Sequence, residues 1–238
     1  MNFFTRKIPI ILPAFIFLLF EVLFFVPGPY FLLIGLSLLL TVSAVLLYIL
    51  LKEKIRAIWP TYIQLIILIL TSSLFSLFLS HGFFYHLYLI AASLFYWYIL
   101  STIFYYFYQP RLYQPYSLER SSRWIIFVTI FCFLAELSAL SLFLGISPWL
   151  TIIPSWAINL WVYFYFIRAT KADELKKNKW QILIVSLVLA ELYLSISFLP
   201  VNFHINGLIS SIFNLIILQL WLKDQGLPLP IIKNDQPL

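Results

Sequence analysis

An all-α polytopic integral membrane bundle of about eight transmembrane helices is the fold class this sequence predicts. Three observations predict it: a composition too apolar for water, eight apolar stretches of membrane-crossing length, and charges gathered between alternate stretches. Of 238 residues, 63% are hydrophobic, 20% aromatic and only 10% charged, and the mean hydropathy is +0.99. A soluble chain carries roughly 25% charged and about 45–50% apolar residues. So little polar surface cannot cover a water-facing ball, which excludes a soluble enzyme, a nucleic-acid-binding domain and a disordered tail.

A helix needs about 20 apolar residues to cross the hydrocarbon core. The first stretch, 8–26, follows Arg6 and Lys7; it is long enough to span and no small-residue cleavage site follows, so it reads as a membrane helix rather than a cleaved signal. Pro27-Gly28-Pro29 turns the chain into the second stretch, 31–51, which runs into Lys52, Lys54 and Arg56. The third, 59–79, starts at Trp59 and ends at Ser80-His81-Gly82. The fourth, 84–108, is crowded with aromatic residues, and a longer connection containing Pro110 and Pro115 follows it. The fifth, 124–146, begins at Trp124 and closes on Gly145-Ile146-Ser147-Pro148. The sixth, 149–167, leads into Arg168 and Lys171; the seventh, 181–199, ends at Pro200-Val201-Asn202; the eighth and shortest, 207–222, meets Lys223. The four Pro-, Gly-, Ser- and Asn-rich joints are turn chemistry.

The charges orient this pattern. All 15 Lys and Arg residues fall before the first stretch, in the longer connections or after the eighth, and none in a tight turn. By the positive-inside rule the termini and longer loops are cytoplasmic, in a plasma or inner membrane, and the four helical hairpins point outward. Trp59, Trp124, Trp180 and Trp221 sit at the cytoplasmic ends of their helices, where indoles favour the interface. The net charge of +6 then reads as positive-inside bias and contact with anionic headgroups, and not as a nucleic-acid footprint. The loop around Pro110 and Pro115 divides the chain into a first four-helix half, 1–115, and a second, 116–238, within one membrane domain.

An internal repeat is written into the second half. Leu134-Ala135-Glu136-Leu137 recurs 55 residues later as Leu189-Ala190-Glu191-Leu192, and Ser155 and Asn159 recur as Ser210 and Asn214. Glu21 and Ser76 extend the register into the first half, with Ser76 standing where the other units have an acid. The pattern is that of hairpins repeated along the chain.

Of nine acidic residues, three lie inside the apolar stretches: Glu21, Glu136 and Glu191. A carboxylate in hydrocarbon costs several kcal/mol, so such residues are functional candidates by default. They have two readings, a proton- or cation-handling site and structural glue. For the second, Glu136 and Asn159 stand about equally far from their turn, as do Glu191 and Asn214, so that carboxyl and amide can hydrogen-bond across each hairpin. Glu21 has Gly35 at its depth and no such partner. His81, His86 and His204 cluster at the outward tips; they could join the glutamates in a metal or proton site, but without HxxxH or HExxH spacing they read first as solvated interfacial residues. The aromatic runs Phe95–Tyr98 and Phe104–Tyr108 offer either a pocket for a flat apolar ligand or plain packing and an interfacial belt. The single Cys132 has no partner for a disulfide and reads as a small hydrophobe.

No motif for a cofactor or a metal is present, and no Walker loop, GxSxG elbow or zincin signature. No apolar stretch contains Lys, which excludes a retinal Schiff base. Six glycines in the whole chain are few for helices that must rock or break. Three functions follow, in order. The first is a non-enzymatic membrane subunit, assembly factor or scaffold with a membrane-protein partner or a second copy. The second is a small-solute or ion transporter using the three glutamates. The third is a membrane-embedded enzyme acting on a lipid or quinone.

Overall fold

A computed structural model describes residues 3–25, 29–52, 55–79, 82–113, 117–170 and 174–224. Among these the chain is helical and contains no strand: α1 (Phe3–Phe25), α2 (Pro29–Leu51), α3 (Ile55–Leu77), α4 (Phe83–Tyr108), α5 (Ser117–Leu144), α6 (Pro148–Thr170), α7 (Glu174–Ser197) and α8 (Phe203–Asp224). Each apolar stretch of the sequence becomes one helix. The largest departures are the early starts of α5 and α7, where polar and charged residues continue the helix beyond the apolar run. Five helical stretches among the described residues are long and apolar enough to cross a membrane: Leu33–Leu51, Phe83–Tyr108, Ser121–Leu144, Trp180–Ser197 and Phe203–Trp221, with a shorter apolar stretch at Thr61–Leu77. The protein is a membrane-spanning helical bundle.

Its polarity runs opposite to that of a soluble protein. Leu33, Ile34, Val45, Leu94, Ile153 and Ile184 are exposed, while Gln64, Ser73, Ser76, Ser155, Asn159 and Asn214 are buried. When the solvent is hydrocarbon, apolar side chains face it without penalty and polar groups turn to one another. Where hydroxyls do face outward they bond their own helix, as Ser37 donates to the Leu33 carbonyl (2.8 Å) and Thr41 to the Ser37 carbonyl (2.9 Å).

The chain gathers into two compact units, Met1–Ser121 and Ser122–Leu238. In the first, α1 packs against both α2 and α4, and α3 against the same two helices. The α1 seam is Ile8, Leu12, Ile16 and Phe20, one residue in four and all buried, which is the ridge that helix packing uses. Pro9 and Pro13 lie within α1, where each removes a backbone donor. Tyrosines fasten this unit by donating to backbone carbonyls of neighbouring helices: Tyr62 to Ala44 (3.2 Å), Tyr85 to Phe20 (3.1 Å), Tyr88 to Ser72 (2.8 Å) and Tyr108 to Leu50 (2.6 Å). The last caps a carbonyl in the final turn of α2, where no intrahelical donor remains. The aromatic end of α4 thus serves packing, with Phe104 and Tyr108 stacked 5.4 Å apart.

In the second unit α5 is the most enclosed helix, with 61% of its membrane-length stretch buried against 28–39% for the other four such stretches. It ends at Gly145, whose φ of 65° is the left-handed conformation that stops a helix, and Ser141 donates across the turn to the Ile146 carbonyl (2.8 Å). Ring contacts join Phe143 to Phe203, Trp149 to Phe198 and Tyr163 to Trp221, and the Ser138 and Tyr193 hydroxyls lie 3.2 Å apart. Gly207 brings α8 against the α5 backbone: a Cβ there would sit 2.6 Å from Ala135 Cβ and 2.9 Å from Ala135 Cα and N.

The two helical glycines therefore respond differently to a methyl group. At Gly207 the obstacle is backbone, so Gly207→Ala forces α5 and α8 apart at a cost of about 1–3 kcal/mol, more than the helix propensity gained, about 1 kcal/mol. At Gly35 the obstacle is the flexible end of Leu23, so Gly35→Ala is neutral or stabilising. Reversible unfolding in detergent is expected to show a lower midpoint for Gly207→Ala alone; equal midpoints would remove the close approach.

Candidate functional site

The first unit holds a polar recess between α1, α3 and α4. On α3, Ser72 and Ser76 stand one turn apart with Ser73 beside them, and all three are buried. On α4, Tyr88, Ala92 and Tyr96 follow at the same spacing, and the small Ala92 leaves room between the rings. Ile16 and Phe20 of α1 close the apolar side of a recess of about 10 Å³, space for about one water molecule. Ser72 anchors a hydroxyl network: its Oγ donates to the Leu68 carbonyl at 2.7 Å and is hydrogen-bonded to the Tyr96 hydroxyl. Ser76 donates to the Ser73 carbonyl (2.6 Å), whereas the buried Ser73 hydroxyl makes no hydrogen bond.

Beside Phe20 on α1 is Glu21, whose Oε1 lies 2.8 Å from Nδ1 of His86 on α4. The carboxyl side chain is 22% exposed and the imidazole 39%, so the pair sits at the surface of the unit. Tyr85, adjacent to His86, ties α4 to α1 through the Phe20 carbonyl (3.1 Å). A hydrogen-bonded carboxyl and imidazole can hold a proton and pass it on. The sequence names both residues but not their union, because depth in the first hairpin points Glu21 at α2, while the partner lies on α4.

In the second unit Glu136 is buried on α5, as are Asn159 on α6 and Asn214 on α8. The carboxyl–amide pairing expected across each hairpin is not what holds them. Neither polar atom of the Asn159 amide makes a hydrogen bond. Asn214 donates from Nδ2 to the Ser210 carbonyl of its own helix (3.0 Å), and Glu191 is on the exposed face of α7. Equal depth sets one coordinate of a side chain, and rotation about the helix axis sets the other. His204 is half-buried with its ring centroid 3.7 Å from that of Phe203, and His81 lies outside the described residues.

Among the described residues no three His, Cys, Asp or Glu side chains gather as metal ligands would. The residues that sequence reading passed over are hydroxyls: Ser72, Ser73 and Tyr88 in the first unit, Tyr163 in the second; Tyr96 belongs to the aromatic run 95–98 singled out in the sequence. One signal was present, the run Thr71-Ser72-Ser73 followed by Ser76 within an otherwise apolar stretch. Compared with known proteins, the chain matches no family model, no curated protein and no solved structure.

Proposed function

We propose that this is a non-enzymatic multi-pass membrane protein, a subunit, assembly factor or scaffold that binds another membrane protein through the outward face of α7. The observation that carries it is Glu191. Trp180, Ile184, Leu187 and Val188 are exposed along that face, and Glu191 continues the same stripe, exposed. An ionised acid at mid-membrane costs about 3 kcal/mol on insertion scales, a cost that a hydrogen-bonding or cationic side chain on a partner helix offsets. The occupant is therefore a membrane helix with a Lys, Arg, His or amide side chain at this depth. Photoreactive residues at Leu187 and Val188 are expected to form one discrete protein adduct in native membranes, lost in Glu191→Leu. Lipid adducts alone, or a protein adduct indifferent to Glu191→Leu, would contradict it.

The placement of the basic residues supports cytoplasmic termini, with the basic connections resting against anionic headgroups of a plasma or inner membrane. A fluorescent protein fused to the C-terminus, of a kind that matures only in the cytoplasm, is expected to fluoresce; a dark fusion at normal expression reverses the orientation.

A second reading, small-solute or ion transport coupled to protons, is favoured by the Glu21–His86 hydrogen bond beside a polar recess. In liposomes carrying a pH gradient it requires proton flux that Glu21→Gln abolishes. Absent or unchanged flux removes Glu21 as a coupling group.

A further inference from the structure

The hairpin tips of the second unit, at the end opposite its basic connections, are built unlike loops that meet water. No Lys, Arg, Asp or Glu lies between residues 137 and 167 or between 192 and 222, so each tip stands in the middle of a long uncharged run. Phe143, Leu144, Trp149, Leu150, Phe198 and Leu199 are all exposed there. Ring contacts join one tip to the other: Phe143 meets Phe203 with centroids 5.7 Å apart, and Trp149 meets Phe198 at 6.1 Å. Together they make one apolar plate, and clustered exposed apolar surface of this kind marks an interaction site.

Two further observations say what covers the plate. The first is length. The membrane-length stretches of α7 and α8 are Trp180–Ser197, with 18 residues, and Phe203–Trp221, with 19. They rise about 27 and about 28 Å, against a hydrocarbon core about 30 Å thick. With Trp180 and Trp221 at one interface, this hairpin reaches the other only when its own turn, residues 198–202, completes the crossing. The second is the backbone of the turns. The Leu199 N–H donates to the Ile196 carbonyl (2.9 Å), that of Val201 to the Leu199 carbonyl (2.8 Å) and that of Leu150 to the Ser147 carbonyl (2.9 Å). Ser141 donates to the Ile146 carbonyl (2.8 Å), and Pro148 and Pro200 have no N–H to satisfy. Backbone groups already paired within the chain lose little on leaving water.

We propose that the two tips form an interfacial plate seated in the leaflet opposite the basic connections, with phospholipid as its partner. The upper acyl chains pack on the exposed Phe and Leu side chains, the headgroups close over the turns, and Trp149 lies at the boundary as interfacial indoles do. A protein docking on the plate from the water side needs the tips to stand clear of the headgroups, and helices of this length do not lift them there. The second unit therefore offers no water-facing surface at this end. The plate goes beyond partner binding, since it does not involve the α7 face and stands or falls without it.

Quenching of a local fluorophore tests it. The full-length protein is placed in phosphatidylcholine vesicles in a Cys132→Ala background, with a single labelled cysteine replacing Leu144, Leu150, Leu199 or Val201 in turn. All four positions are exposed, so the label displaces no core contact and the variants fold. Bromine on the acyl chains quenches a fluorophore held in lipid, and iodide added to both faces quenches one held in water. The plate predicts stronger quenching by brominated lipid than by iodide at both tips. Iodide quenching equal to or stronger than that by brominated lipid at either tip puts that tip in water and overturns the proposal. Quenching by neither means that protein covers the tip, and overturns it as well.

Discussion

Everything in this structure depends on where polar groups can go when the solvent is hydrocarbon. A backbone left unpaired in the membrane core is too costly, so the spanning segments are helices. Side-chain polarity obeys the same rule. Serines, threonines, asparagines and the Gln64 amide are buried, while isoleucines and leucines cover the outside. The hydrophobic effect, which drives soluble cores together, does nothing between helices already surrounded by lipid. Close packing and hydrogen bonds take its place, as the backbone contact at Gly207 and the tyrosine bonds to Phe20, Ser72 and Leu50 illustrate.

The two units use this principle differently. In the first, tyrosine hydroxyls reach across to carbonyls of neighbouring helices or to Ser72 and hold helices together, while Thr71, Ser76 and Thr102 bond carbonyls of their own helices. Tyr88 and Tyr96 of α4 converge on Ser72 of α3 in this way. In the second, the amides of α6 and α8 are enclosed but only partly used by the protein, and one acid, Glu191, is turned outward. Cohesion in the one and open valence in the other are both products of serine, asparagine and tyrosine placed at helical spacing in an apolar chain.

Much of the fold was legible because it is a one-dimensional property. The length of an apolar run fixes a helix, and turn residues such as those at Gly145 and Pro200 fix its end. The runs before α5 and α7 were cut short because polar residues such as Glu174 and Lys176 look like loop and yet remain helical. The candidate site was half legible. Glu21, Glu136, Glu191, Asn159, Asn214 and His86 stand out as polar residues in or beside apolar stretches. Their partners did not follow, because partnership depends on the rotation of each helix and on which helices touch. Glu21 meets His86 because α1 packs on α4 as well as on α2, and no hairpin arithmetic contains that fact.

Helix rotation is also what the functional reading rests on, and α7 is where it is measured most directly. In a Cys132→Ala background, single spin labels placed from residue 180 to 197 report collisions with oxygen, which concentrates in lipid. The account requires a helical period with maxima at Ile184, Val188 and Glu191 and minima at Ser186, Ala190 and Tyr193. A profile without that period, or one with Glu191 at a minimum, would contradict it.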